Sequence, residues 1–217
     1  MAQQVAHEIK NPLTPMKLSL QHLQRAYQSD PDQARELLKR TGSTLIEQID
    51  GLARIASEFS SFAKLPPPNP ERLYLDDLLR SAGELFRRQS THPQAVQWEL
   101  PPEKVPVFAD RNHLQRILNN LLQNAWQSIP AGQPPRIEVG LQTGNGRVQA
   151  WVADNGSGIP EEMRHRVFEP KFTTKSSGMG LGLAMCKGMV EQMNGRIWFE
   201  TSDEEGTSFF IELPLAE

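Results

Sequence analysis

Five residues, Pro66-Pro67-Pro68-Asn69-Pro70, constrain this chain more than any other feature, because so proline-dense a run can continue neither a helix nor a central strand. Sequence before it follows a helical hydrophobic period, and sequence after it alternates between helical and strand patterns. The chain of 217 residues is long enough for two modest domains. We therefore place one domain over 1–65, a stiff linker over 66–70 and a second domain over 71–217.

In the first domain Ala2, Ala6, Ile9, Leu13, Met16, Leu20, Leu23 and Tyr27 follow steps of three and four, the stripe of a bundle seam. Ser29-Asp30-Pro31-Asp32 interrupts it with turn and cap chemistry. Leu38, Leu45, Leu52 and Phe59 then recur at heptad spacing. The expected unit is an antiparallel helical hairpin. Two helices bury such a stripe poorly alone, so a homodimer forming a four-helix bundle is the economical solution.

Beyond the linker the patterns predict helices over about Leu75–Arg88, Asn112–Ile129 and Gly182–Met193. Strands are expected near Val96–Leu100, Val105–Phe108, Arg136–Leu141, Arg147–Val152, Arg196–Glu200 and Ser208–Leu213, with a hairpin turn at Gly144-Asn145-Gly146. The expected fold class is thus an all-α hairpin followed by an α/β sandwich.

A net charge of −3, with acids interspersed among the bases, leaves no footprint for nucleic acid. The single cysteine, Cys186, excludes an internal disulfide and reads as a small packing residue in a reducing compartment. No apolar run is long enough to span a bilayer, so this stretch is expected in the cytoplasm, with membrane attachment only through an upstream segment.

Three places carry chemistry. His7 lies beside the apolar stripe rather than on it, with Glu8 adjacent and Asn11 one helical turn away. A neutral imidazole nitrogen can attack a phosphoryl group when another group holds the ring's second nitrogen, and Glu8 suits that orienting role. Asn11 could orient a water instead. Pro12 and Pro15, each costing ~3 kcal/mol in an ordinary helix interior, suggest a bend or local flexibility just after the histidine.

On the helix over 112–129, His113, Arg116, Asn120, Asn124 and Gln127 read as a polar stripe. Amide oxygens from Asn120 and Asn124 are hard ligands suited to Mg2+ that bridges phosphates. Finally, Asp154 ends a strand before Gly156 and Gly158, where a carboxylate could accept from an adenine amino group. Gly178, Gly180 and Gly182 precede a helix whose N–H groups attract polyphosphate, and Thr174 and Lys175 could add side-chain contacts.

Together these segments resemble the catalytic core of bacterial two-component sensor histidine kinases. His7-Glu8 with Asn11-Pro12 is similar to the phosphoacceptor box, Asn120 to Ala125 to the N box, and Asp154, Gly156 and Gly158 to the first glycine box. Phe168 to Phe172 resembles the F box, with Lys171 a departure, and Gly178, Gly180 and Gly182 the second glycine box. The resemblance implies a HisKA-type dimerisation hairpin and a Bergerat-type (GHKL) domain binding ATP and Mg2+, with Asn124 assigned to the metal and Asp154 to adenine. It further implies autophosphorylation of His7, transfer to an aspartate of a response-regulator receiver domain, and a mobile lid over Glu161–Gly178. Thr14-Pro15 and Ser177 to Gly180 look most like the nitrogen-regulation sensors.

Two rival readings compete with this one. One is a catalytically silent ATP-binding dimer that only docks a regulator, against which intact His7, Glu8, Asn124 and Asp154 argue. The other is an ATPase or protein kinase of the same pocket class, such as a gyrase-like, chaperone-like or anti-sigma enzyme; those lack the phosphoacceptor hairpin and use a general-base glutamate where Asn120 stands.

Overall fold

The computed structural model describes residues 2–29, 37–39, 41–53, 67–89, 94–170, 172–173, 180–202 and 204–216. The chain divides into two compact units, the first drawn chiefly from residues 1–65 and the second from 66–172 and 180–217.

The first unit contains helix α1 (Ala2–Ser29) and a second helix, α2, over 37–39 and 41–53. The helical backbone of α1 runs unbroken through Pro12 and Pro15. Each proline lacks the N–H that would reach the carbonyl four residues back, so the carbonyls of Glu8 and Asn11 lose their helical donors. Between them, Thr14 Oγ1 donates to the Lys10 carbonyl at 3.0 Å. The turn expected after Ser29 lies outside the described residues. Met16 of the stripe is buried, as is Ala26 beside it, whereas Leu13, Leu20 and Tyr27 of the stripe are exposed, as are Leu38, Ile46 and Ile49 on α2.

The second unit is a two-layer sandwich. A five-stranded sheet runs in the order β2-β4-β5-β7-β6, formed by β2 (Val96–Glu99), β4 (Ile137–Gly144), β5 (Arg147–Asp154), β6 (Arg196–Ser202) and β7 (Gly206–Pro214). All neighbours are antiparallel except β2 and β4. A separate pair joins β1 (Glu71–Tyr74) to β3 (Pro106–Ala109). The β4–β5 hairpin closes through Asn145 and Gly146, whose φ values of 53° and 72° fit the tight turn that matches strand twist.

Alternation along β5, and along β7 from Thr207 onward, buries one face of the sheet. Helices α3 (Leu75–Gln89), α4 (Arg111–Ser128) and α6 (Gly182–Gln192) supply the rest of this core. α4 packs against α3, α6, β4 and β5 and buries Leu114, Ile117, Leu118, Leu121 and Leu122. Each such side chain contributes about 1.5–3 kcal/mol on burial. The short α5 (Glu161–Arg164) follows β5. His113, read from sequence as part of the wet stripe, is instead 2% exposed. Positions 113, 117, 121 and 125 stack on one helix face, and that face meets the core. Among the described residues neither of its ring nitrogens finds a hydrogen-bond partner.

Asp110 caps α4 and ties it to the linker. Its Oδ1 accepts from the His113 N–H at 2.9 Å and its Oδ2 from the Asn69 N–H at 2.7 Å. Burial pushes this carboxyl upward, but the Asn69 and His113 N–H groups outweigh it and hold it below the usual carboxylate range. A carboxyl depressed in the folded state contributes stability above its unfolded pKa, and loses that contribution as pH falls through the folded value. Asp110→Ala should therefore cost about 1–2 kcal/mol at neutral pH, and the gap to wild type should narrow as pH falls below about 4. Denaturant unfolding from pH 7 down to the acid transition checks this; a gap independent of pH would contradict it.

Candidate functional site

In the second unit the C-terminus of α4 meets the end of β5. Asp154, the last residue of β5, is 5% exposed and sits in register with Thr207 of β7. Its Oδ1 accepts from Ser128 Oγ and from the Gly156 N–H, both at 2.8 Å. Ser128 is the last residue of α4, and its carbonyl accepts from the Ser157 N–H at 3.3 Å. One helix end thus grips both the carboxylate and the turn that follows it.

That turn depends on its glycines. A Cβ at Gly156 would collide with the Ser128 hydroxyl, and Gly158 combines a φ of +71° with a Cβ position only 2.5 Å from the Ser202 carbonyl. Next along, the Ile159 N–H donates to Thr201 Oγ1 at 2.9 Å, and that hydroxyl lies 3.0 Å from Thr207 Oγ1. Asn155 is occupied elsewhere. Its side chain accepts from the Arg136 N–H and donates to the Pro134 carbonyl, both at 2.9 Å, so it fixes the loop before β4.

Farther up α4, Asn124 Nδ2 donates to Asn120 Oδ1 at 3.0 Å, which sets the orientation of both amides. A Cβ at Gly182 would overlap the Asn120 amide, so the first turn of α6 is seated directly on this pair. The N-cap residue of α6, Leu181, makes no side-chain cap hydrogen bond, whereas Asp110 caps α4. Leucine has no polar side-chain atom to offer the first N–H groups of α6, and N–H groups at a helix start attract phosphate. Gly180, just before it, has φ of +61°. Thr174, Lys175, Gly178 and Lys171 lie outside the described residues. Of the F-box aromatics, Phe168 packs against Phe199 and Phe209 at ring separations of 5.9 and 6.4 Å. The Arg166 guanidinium lies 5.0 Å from the centre of the Phe172 ring.

Among the described residues no three or more His, Cys, Asp or Glu side chains gather as a metal cluster. The donors that suit Mg2+ are instead the Asn120 and Asn124 amides, hard oxygens beside a phosphate-attracting helix end, and this donor set fits an ion that completes its shell with phosphate and water. Cys186 is buried in α6, and burial pushes its thiol up to about 12, which leaves it unreactive.

Asn120, Asn124, Asp154, Gly156, Gly158 and Gly182 thus belong to one connected region of the second unit. Sequence reasoning missed Ser128, Thr201 and Thr207. Ser128 had a signal, since it continues the Asn120, Asn124 row by a further step of four. In the first unit, His7 and Glu8 lie on the helical backbone of α1, their side chains outside the description, and Asn11 is exposed one turn on.

No helix among the described residues is long and apolar enough to cross a membrane. Two sequence-family models match the chain in order. The His Kinase A (phospho-acceptor) domain matches residues 1–68, and the histidine kinase-, DNA gyrase B- and HSP90-like ATPase matches residues 109–217. Nitrogen regulation protein NtrY of Azorhizobium caulinodans is 35% identical over 99% of this chain and 28% of its own length. A putative NtrY-like sensor histidine kinase of Rickettsia conorii is 31% identical over 100% of this chain and 36% of its own. The chain thus spans about a third of the length of these relatives.

Among solved structures, histidine kinase ThkA in complex with response regulator TrrA aligns with a TM-score of 0.78 at 26% identity, covering 100% of this chain and 61% of that one. The isolated ThkA catalytic domain aligns at 0.60 with 32% identity, covering 67% of this chain and 95% of that one. The chain therefore belongs to the two-component sensor histidine kinases, as an NtrY-like catalytic core in which a phosphoacceptor domain precedes an ATPase domain.

Proposed function

We propose that this chain uses ATP to phosphorylate its own His7, delivers the phosphoryl group to an aspartate of a response-regulator receiver domain, and also removes it from that regulator. The observation that carries the reading is the buried Asp154 carboxylate, held by Ser128 and Gly156, in a unit that also seats the first turn of α6 on Asn120. Asp154 accepts from the adenine amino group. The phosphates lie toward the start of α6, where Gly178, Gly180 and Gly182 give backbone access and Thr174 and Lys175 add donors. Asn124, with Asn120 beside it, holds Mg2+, which when bound neutralises phosphate charge.

In the acceptor unit Glu8 accepts a hydrogen bond from the N–H of one ring nitrogen of His7 and takes that proton as the other nitrogen attacks the γ-phosphorus. A P–N bond forms as the bond to the bridging oxygen breaks, and ADP leaves. Transfer to the regulator then forms an acyl phosphate as the P–N bond breaks. That ThkA is solved with a response regulator supports this class of partner. We assign these roles to domains at 1–65 and 71–217 joined by the 66–70 linker. The exposed side chains Leu13, Leu20 and Tyr27 of the α1 stripe, and Leu38, Ile46 and Ile49 on α2, support a homodimer that covers them. ATP and receiver domains place the chemistry in the cytoplasm, and any membrane anchor would belong to sequence outside this stretch.

Asn11 tests the dual role. Exposed on α1 one turn from His7, it is positioned to orient a water toward the regulator's phosphoaspartate. Asn11→Ala should slow dephosphorylation of a receiver domain by at least about tenfold while autophosphorylation stays within about threefold. Following label on purified receiver with each variant checks this. Equal loss of both activities, or of neither, would refute the water-positioning role.

A further inference from the structure

We propose that Ser128 is a positioning residue for adenine selectivity, acting through Asp154; the inference rests on the reading of Asp154 as the adenine acceptor. Ser128 Oγ lies 2.8 Å from both the Ala125 carbonyl and Asp154 Oδ1. A serine hydroxyl has one proton to donate, and the ionised carboxylate is the stronger acceptor. Oδ1 therefore receives two donors, Ser128 O–H and Gly156 N–H. A carboxylate on its own rotates about a broad torsion. Two donors on one oxygen fix its plane and so fix where the carboxylate presents acceptor density to a base.

The backbone of the same residue supports this role. The Ser128 carbonyl takes the Ser157 N–H at 3.3 Å, so the serine that orients the carboxylate also sets the height of the glycine turn. Moreover, Asn120, Asn124 and Ser128 form one row along α4. Eight residues at 1.5 Å rise place Ser128 about 12 Å from Asn120 along the helix axis. A single rigid helix thereby spaces the base end of the site from its phosphate end, which is more accurate than spacing them through loops.

The probes are ATP and purine riboside triphosphate, which carries hydrogen in place of the 6-amino group, titrated calorimetrically into the full chain with Mg2+. Wild type should prefer ATP by about tenfold or more, because a site built to pair a donor rejects the analogue lacking it. Ser128→Ala should lose most of that preference by weakening ATP alone, with the analogue within about twofold of its wild-type affinity, and Ser128→Thr, which keeps the hydroxyl, should retain the preference. Ser128→Ala with the wild-type preference intact, or with both nucleotides weakened equally, would overturn the role of Ser128 and leave Asp154 as the acceptor. Wild type without a preference would overturn the Asp154 assignment and this inference with it.

Discussion

His7→Gln should abolish incorporation of label from γ-labelled ATP while leaving ATP affinity within a few-fold of wild type. Glutamine keeps a polar, hydrogen-bonding side chain at a helical position, so the change does not introduce an apolar group or a helix breaker. It removes the one feature the reaction needs, a ring nitrogen with an available lone pair. A glutamine amide nitrogen is not nucleophilic, so the loss should be complete rather than partial. Nucleotide binding should survive because Asp154, Asn120 and Asn124 lie in the other compact unit. Filter-bound label and calorimetry on one preparation give both numbers. Undiminished labelling would mean that another residue accepts the phosphoryl group.

Asp154→Asn should weaken ATP binding by about tenfold to a hundredfold, the range expected for a lost charge-assisted hydrogen bond. The substitution preserves shape, so the chemistry is isolated from packing. In wild type one carboxylate oxygen already takes donors from Ser128 and Gly156. An asparagine there would have to keep its single carbonyl oxygen toward those donors, and its NH2 would then face the adenine amino group, donor against donor. Turning the amide over would instead leave the Gly156 N–H facing another N–H. Either arrangement costs affinity. Wild-type affinity in the mutant, with an unchanged circular dichroism spectrum, would remove adenine recognition from Asp154.

The parts legible in the sequence are those written in local rules. The proline run reads as a stop to the helical pattern because proline's limits on backbone geometry need no tertiary context, although the end of α2 lies outside the described residues. α3, α4 and α6 appeared within a residue or two of their expected bounds, since their apolar faces repeat over several turns. β1 went unread because only Leu73 of its four residues is buried; pairing with β3 supplies the stability, and nothing local announces that partner. The parallel β2–β4 neighbour relation is equally non-local.

The candidate site divides in the same way. Asp154 and its glycines were readable because carboxylate, turn and close approach lie within a few residues of one another. Thr201 and Thr207 were not, since the pairing of β6 with β7 brings them to the Ile159 N–H. His113 was misjudged by counting it with Arg116 and Asn120 when the step of four aligns it with Ile117 and Leu121, both buried. The same step of four, carried one place beyond Asn124, leads to Ser128.

Self-phosphorylation on a histidine leaves a chemical signature in the stability of the incorporated label. The purified chain is incubated with γ-labelled ATP and Mg2+, and equal portions are then held in acid and in alkali. Label on the chain should be lost in acid and retained in alkali, the behaviour of a P–N bond. Absence of label would leave a silent docking dimer, and label that survives acid or is lost in alkali would place the phosphoryl group on oxygen; either result would rule out phosphorylation of His7.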